Sequence, residues 1–123
     1  MDYQKYPVKA AEVATKARRS LGVGFIGLAH YLAKLGYKYE SQEAWDAVHG
    51  LSESFQYFLI KASNEVAKEK GHCENFGRTK YADGILPIDT YKKDVDEICS
   101  QPLQHDWESL RASILEHGLR HST

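Results

Sequence analysis

The chain has 123 residues, enough for one ordinary domain. Its 16 basic and 17 acidic side chains are interleaved and leave a formal net charge of −1, which excludes a strong uniform field for nucleic acid or for an anionic membrane surface. The longest apolar-looking run, Leu21 to Leu35, is interrupted by glycines and is shorter than the about 20 apolar residues of a membrane span. Two cysteines without C-x-x-C spacing and an N-terminus without an apolar secretory core predict a cytoplasmic protein.

The first third of the chain is predicted to hold two helices around an extended connection. Pro7 is typical of a first helical turn, and the residues after it carry a weak apolar face up to Arg19. The glycine-punctuated stretch SLGVGF, at residues 20–25, is compatible with a strand or an extended connection. From Phe25 the apolar spacing becomes helical, and Gly36 stands where a helix ends.

The best-defined predicted element runs from Ser41 to Lys70. Ser41 is suited to the N-cap position, and Gly71 is a stop signal. A helix of this length extends about 45 Å, which is long for so small a chain to cover on its own. Its apolar residues form a stripe that needs a neighbour. The stripe consists of Trp45, Val48, Leu51, Phe55, Phe58, Leu59, Ala62 and Val66.

The last third is predicted to hold a loop and two shorter helices. The loop covers residues 72–84, and Thr90 is suited to cap a short helix that reaches Ile98. A final helix is predicted from Trp107 to His117, with Asp106 as its N-cap and Gly118 as its end. Its inward-facing residues would be Leu110 and Ile114. The chain is therefore expected to be mainly α with one or two short extended pieces.

The hexapeptide GVGFIG fits the pattern G-x-G-x-x-G of dinucleotide-binding turns through Gly22, Gly24 and Gly27. That turn requires a buried strand before it, βαβ units after it and an acidic residue about 20 positions on. The residues before it are polar and basic, the stretch around Glu40 is polar, and a long helix follows. The motif therefore favours close backbone packing beside a helix start, and no cofactor is predicted.

No self-contained active site or metal site is predicted from local chemistry. His72–Glu74 offers ligands that are adjacent in sequence, and adjacent residues rarely chelate one ion. His117 and His121 are four positions apart, but Gly118 between them should end the helix that would align them. No acidic residue is isolated in an apolar run, so none is expected to act as a general base. The pair Arg18–Arg19 could hold a phosphate, but such a pair at a segment boundary is commonly a salt-bridge anchor.

Six stretches of the chain together resemble the large, catalytic (alpha) subunit of class I ribonucleotide reductases, in the family's order and spacing. They are DYQKYP (2–7), RRSLGVGFIGLAHYLAKLG (18–36), FQYFLIKASNEVAKEKG (55–71), YADGILPIDTYKKDVDEI (81–98), PLQHDWESLRASI (102–114) and HGLRHST (117–123). The resemblance covers nearly the whole chain. One departure is His121, where the family usually has asparagine.

The resemblance implies a slice of a ten-stranded α/β barrel, made of one or two short strands plus outer helices. Residues 1–123 would be one segment of that barrel domain rather than a complete domain, with a barrel strand around Ser20–Phe25. Five residues are predicted to be structural at the junction of this strand and its helix. They are Arg18, Arg19, Gly22, Gly24 and Gly27.

The resemblance also implies an activity, the radical reduction of ribonucleoside diphosphates to 2′-deoxyribonucleotides for DNA synthesis. The family's catalytic cysteines, radical-carrying tyrosines, substrate-phosphate loop and nucleotide-effector loops lie outside the matched stretches. Cys73 and Cys99 match none of the catalytic contexts. No catalytic, cofactor-binding or metal residue is therefore predicted here, and the effectors and the small-subunit metal centre are expected to bind elsewhere.

The sequence is compatible with two functions. The first is a reductase segment, inactive alone, that acts with complementary segments of the alpha subunit and, in the assembled enzyme, with the small (beta) subunit. A split gene, a truncated frame or an experimental fragment would each produce such a chain. The second is a non-catalytic helical interaction module derived from the reductase. An autonomous nicotinamide-dependent dehydrogenase is disfavoured by the context of the glycines.

Overall fold

The computed structural model describes residues 1–122, and within them it contains α-helices and two 3-10 helices but no strand. The α-helices are α1 (Lys9–Arg18), α2 (Leu28–Lys34), α3 (Gln42–Lys70), α4 (Pro87–Thr90), α5 (Val95–Ile98) and α6 (Trp107–His117). The 3-10 helices are Phe76–Arg78 and Lys80–Asp83, in the region that the sequence predicts as a loop. The mainly α prediction is confirmed.

The predicted bounds of α3 are confirmed at both ends. The Ser41 hydroxyl accepts the backbone N–H of Ala44 at 3.3 Å, which satisfies one of the free donors of the first turn. At the other end the Gly71 N–H donates to the carbonyl of Ala67 at 2.8 Å, and Gly71 has φ 77. A left-handed conformation of this kind favours glycine and ends the helix.

The core lies where α6 packs against the C-terminal half of α3, with the second 3-10 helix against α6. It consists of Tyr57, Ile60, Leu86, Trp107, Leu110, Ile114 and Leu119, with Phe76, Tyr81 and Ile88 packed against it. Leu110 and Ile114 are buried, as predicted. Asp106 caps α6 by accepting the Ser109 N–H at 3.0 Å, and Gly118 follows the last helical residue, also as predicted.

The face of α3 that α6 covers is not the apolar stripe. The buried positions include Tyr57, Ile60 and Asn64, whereas Trp45 is 40% and Phe58 is 55% exposed. At about 100° per residue the stripe is centred roughly 170° from these three positions, so it lies on nearly the opposite side of the helix. Helix α3 therefore has one face for its own core and another that the described chain covers only in part.

One expectation about local structure is wrong. Thr90 does not cap a helix that reaches Ile98, because the chain turns helical earlier at Pro87 and the carboxylate of Asp89 accepts the Leu86 N–H at 2.7 Å. Thr90 is instead the last residue of α4, and α5 begins separately at Val95. The strand expected at residues 20–25 is not formed within the described residues, where this stretch is an irregular connection with no partner for a ladder. As part of a complete barrel it stays a prediction.

Candidate assembly surface

Residues 20–27, called here the extended segment, connect α1 to α2 and are exposed along their whole length. The backbone N–H and C=O groups of residues 21–26 make no hydrogen bond with any other part of the described chain. Backbone polar groups are strong donors and acceptors that folded proteins almost always pair. The extended segment therefore presents two open hydrogen-bonding edges.

Alternate side chains of the extended segment lie against α3. Leu21 and Val23 line a cavity of about 150 Å³ whose far wall includes Ile60 of α3. The ring of Phe25 meets that of Phe55 edge to face, with centroids 5.2 Å apart and planes at 86°. This period of two residues is the side-chain pattern of a β-strand whose one face packs on helices.

The three glycines of the segment face away from the rest of the described chain. A Cβ built on Gly22, Gly24 or Gly27 would meet no heavy atom within 4 Å. Gly27 precedes α2 with φ 84, so its backbone conformation itself favours glycine. The predicted close approach of another element at Gly22 and Gly24 stays a prediction, because it would involve groups beyond residues 1–122.

The two arginines before the segment have different surroundings. Arg19 is the C-cap of α1 with φ 51, and its guanidinium forms a two-pronged ion pair with the carboxylate of Asp2. The hydrogen bonds from Arg19 lower the pKa of the Asp2 carboxyl below its usual value. The side chain of Arg18 is exposed, and its carbonyl accepts the backbone N–H of Ser122 at 3.1 Å. Both residues thus mark the point where the extended segment leaves α1.

Hydrogen bonds hold the start of the extended segment, whereas the backbone of the rest is unpaired. The hydroxyl groups of Ser20 and Ser122 are 3.0 Å apart, and the Asn75 N–H donates to the carbonyl of Ala17 at 2.9 Å. Beyond Ser20, contact with the core is made by side chains alone. The segment is therefore anchored at one end with its backbone available to neighbours.

A second apolar surface lies beside the N-terminal half of α3. A cavity of about 480 Å³ is lined by Leu32 of α2, Trp45 and Val48 of α3, and Ile98 and Cys99 at the end of α5. Trp45 and Val48 belong to the apolar stripe, so this cavity lies along that face of α3.

The two thiols are not poised for nucleophilic chemistry. Cys73 is 1% exposed, and burial raises the pKa of its thiol. Burial, followed by the charge of Asp46, raises the pKa of the Cys99 thiol as well. A raised pKa keeps a thiol protonated at neutral pH, and the protonated form is a poor nucleophile and metal ligand.

In residues 1–122, no group of three or more histidine, cysteine, aspartate and glutamate side chains comes together in a way that could hold a metal ion. Within the same residues, none of the helices combines the length and the apolar character that crossing a membrane requires.

The extended segment leaves its backbone unpaired and lies on α3 through alternate side chains. The chain belongs to the ribonucleotide reductase barrel domain family, whose family model matches residues 1–123. The resemblance indicated by the sequence is thereby confirmed.

Three relatives show the extent of the similarity. The chain is 57% identical to the ribonucleoside-diphosphate reductase subunit alpha of Haemophilus influenzae and 55% identical to the ribonucleoside-diphosphate reductase 1 subunit alpha of Escherichia coli K12. It is 46% identical to the ribonucleoside-diphosphate reductase subunit alpha of Enterobacteria phage T4. Each alignment covers 100% of this chain and 16% of the relative, so the chain spans about a sixth of the length of these relatives.

Proposed function

We propose that the chain is a structural segment of the large subunit of a ribonucleoside-diphosphate reductase and contributes to ribonucleotide reduction only when the rest of the barrel surrounds it. Identity above 50% to two reductase alpha subunits over the whole chain supports this assignment. The chain's share of those relatives, 16%, supports a role as one part of a larger catalytic unit.

The observation that carries the proposal is the unpaired backbone of the extended segment. In the proposed assembly residues 20–25 become a barrel strand, and complementary segments of the alpha subunit supply a strand on each side. Two new ladders would satisfy the N–H and C=O groups that the described chain leaves without partners. Gly22 and Gly24, on the open side, would then face the interior of the barrel or a neighbouring element.

The chemistry of the reaction is assigned to other parts of the enzyme. Cys73 is buried in the core, and the pKa values of both thiols are raised, which supports structural roles for them. We therefore expect the isolated chain to be inactive and the assembled enzyme to work in the cytoplasm with a small (beta) subunit that supplies the radical.

A second candidate, a helical module that binds or regulates the reductase, is favoured by one observation. Helices α3 and α6 bury a core of their own, so part of the chain has the packing of an independent fold. In that case a partner would use the exposed stripe of α3, and the extended segment would remain unpaired.

A complementation experiment distinguishes the two. The chain is combined with the preceding and following portions of a reductase alpha subunit and with its small subunit, and ribonucleoside-diphosphate reduction is assayed. Val23→Pro removes a backbone donor from the extended segment, whereas Val23→Thr keeps both the donor and the shape. Both variants should fold like the parent chain, because the Val23 N–H has no partner in it.

The reductase segment predicts that Val23→Thr supports activity and that Val23→Pro loses most of it. Full activity with Val23→Pro would show that the segment does not pair as a strand. If the parent chain and both variants bind to the reductase without any gain of activity, the helical module is favoured.

A further inference from the structure

The extended segment lacks the features by which folded proteins keep an unpaired strand edge from pairing with another chain. Such edges are commonly protected by a lysine, a proline or a β-bulge. No aspartate, glutamate, lysine, arginine or proline occurs between Arg19 and Lys34. The backbone of residues 21–26 makes no hydrogen bond within the described chain. Nothing in the composition of the segment therefore opposes pairing with a second strand.

The apolar side chains that face α3 each have an open side as well. Leu21 is 45%, Val23 is 54% and Phe25 is 44% exposed, so α3 covers only about half of each. Neighbouring strands lie about 4.8 Å apart, and their side chains touch across the ladder. A strand laid beside the segment would therefore add apolar burial to the new hydrogen bonds.

One of the two edges is partly covered by the chain itself. The Ser122 N–H donates to the carbonyl of Arg18 at 3.1 Å, and the hydroxyl groups of Ser122 and Ser20 are 3.0 Å apart. No hydrogen bond from residues 1–122 reaches the segment on the side away from Ser122. A single edge is thus free along its whole length, which favours a closed pair of chains over an open row.

Charge decides the relative direction of two paired copies. Arg18 is exposed at the start of the segment, whereas the guanidinium of Arg19 is held by Asp2. In a parallel pair the two Arg18 side chains would lie side by side and repel each other. In an antiparallel pair they would lie roughly 30 Å apart at about 3.3 Å per residue, beyond the about 8 Å over which charges interact at physiological salt. The antiparallel direction is therefore favoured.

We propose that the chain, when the rest of a barrel is absent, binds a second copy of itself: residues 21–26 of the two copies pair as antiparallel strands in a two-fold dimer. The ladder would satisfy, along one edge, the donors and acceptors that a single chain leaves unpaired. The dimer does not depend on the proposed function. In an assembled barrel a neighbouring strand would occupy the same edge, so the two forms exclude each other.

Sedimentation equilibrium of the full chain tests the dimer. The parent chain should reach twice its mass of 14.0 kDa as the concentration rises towards about 1 mM, which detects even a dissociation constant of that size. Consecutive strand residues direct their N–H groups to opposite edges, so either Val23→Pro or Gly24→Pro removes a donor from the pairing edge. One of these two variants should therefore be monomeric. Circular dichroism checks that both keep the helices of the parent.

Two variants at Ile26 test the antiparallel direction without a change of backbone donors. The Ile26 side chain is fully exposed, so neither variant should affect the folding of the single chain. In the antiparallel pair residue 26 of one copy lies near Arg18 of the other. Ile26→Lys should therefore have a dissociation constant roughly tenfold higher than Ile26→Glu. In a parallel pair residue 26 would face its own counterpart, and both variants would weaken the dimer equally.

Phe58→Lys is the matched control for association through apolar surface in general, because Phe58 is exposed in the stripe of α3. It should leave the dimer intact. The proposal is overturned if the parent chain stays monomeric up to about 1 mM, or if it forms species larger than a dimer. Loss of the dimer in Phe58→Lys, or a dimer that persists in both folded proline variants, overturns it as well.

Equal dissociation constants for Ile26→Lys and Ile26→Glu would overturn the antiparallel pair, and this comparison holds even if a proline variant does not fold. The outcome is independent of the reductase assignment, because no measurement needs another segment of the alpha subunit. A confirmed dimer together with failed complementation would count against the proposed function alone. A monomeric parent chain that supports complementation would count against the dimer alone.

Discussion

The carboxylate of Glu53 accepts the indole N–H of Trp107 at 3.1 Å, between two side chains that are 7% and 4% exposed. The same carboxylate accepts the backbone N–H groups of Gln104 at 2.9 Å and His105 at 3.0 Å. Burial alone raises the pKa of Glu53, but these three donors outweigh it and leave the pKa below its usual value. One acidic side chain thus organises the turn that leads into α6.

Replacing this carboxylate should destabilise the chain. Glu53→Gln keeps the shape, but it removes the charge that the three donors stabilise and turns an amide NH₂ group towards the Gln104 N–H, at a cost of about 1–3 kcal/mol. The free energy of unfolding is measured in urea by tryptophan fluorescence. Glu65→Gln, which removes only the exposed pair with Lys68, is the matched control and should cost less than about 1 kcal/mol. Equal effects of the two variants would contradict the role of Glu53.

Asn64 connects α3 to α6 from a site that is 1% exposed. Its amide donates to the carbonyls of Ser113 at 3.2 Å and Gly118 at 2.8 Å, and it accepts the Ser113 hydroxyl at 2.6 Å. Asn64→Leu has similar volume but leaves these groups unpaired, so we expect a loss of roughly 2–4 kcal/mol. Ser52→Ala, on the exposed side of the same helix, should change unfolding by less than about 0.5 kcal/mol. A stable Asn64→Leu chain would show that water replaces the amide.

Two glycines should respond to alanine in opposite directions. Gly118 has φ 73, and a Cβ there would lie 2.6 Å from the Cβ of His72, so Gly118→Ala should cost at least about 1–3 kcal/mol. Gly50 lies inside α3 with no atom within 4 Å of an added Cβ, so Gly50→Ala should stabilise by roughly 0.5–1 kcal/mol. The midpoint temperature of thermal unfolding is measured for both variants. A shift of the same sign in both would contradict the different backbone environments of Gly118 and Gly50.

The ion pair between Asp89 and Arg111 should make the free energy of unfolding decrease as the pH falls below about 4. Two hydrogen bonds of 2.7 Å and 3.0 Å from Arg111, followed by the Leu86 N–H, lower the pKa of Asp89 from 3.8 to about 2. The contribution of this pair is therefore complete above about pH 4 and is lost as the pH falls towards about 2.

Asp89→Asn should make the free energy of unfolding less dependent on pH between about pH 4 and about pH 2. Its cost at neutral pH should be only about 1 kcal/mol, because the Asp89 side chain is 35% exposed and solvent screens the pair. Urea unfolding at several pH values gives the profile. Asp94→Asn, in the exposed pair with Lys92, serves as control and should keep the slope of the parent. An unchanged slope in Asp89→Asn would assign the acid sensitivity to other carboxyl groups.

The sequence was sufficient to place helix ends because caps depend on neighbouring residues only. Ser41, Gly71 and Asp106 act where the sequence puts them, each through a bond that spans three or four positions. The prediction that Thr90 caps a helix was wrong because its own neighbours decide otherwise. Pro87 and Asp89 together start a helix one turn earlier.

Which face of α3 is buried could not be predicted from α3 alone. Apolar periodicity pointed to Trp45 and Phe58, but α6 packs on the face that carries Tyr57 and Ile60. Asn64 and Glu53 lie among the buried residues because their partners come from about 50 positions later in the chain. The extended segment was recognisable from its glycines, whereas the strand proposed for it would need partner strands that residues 1–122 do not supply.

The separation between α3 and α6 also sets an order of events during synthesis. Helix α3 is complete at Lys70, and the partner that covers Tyr57 and Ile60 starts at Trp107, so 37 residues must still be added. At about 5–20 residues per second the ribosome needs roughly 2–7 s for them. During that interval the nascent helix exposes both of its apolar faces. The core face of α3 therefore stays uncovered until α6 has been synthesised.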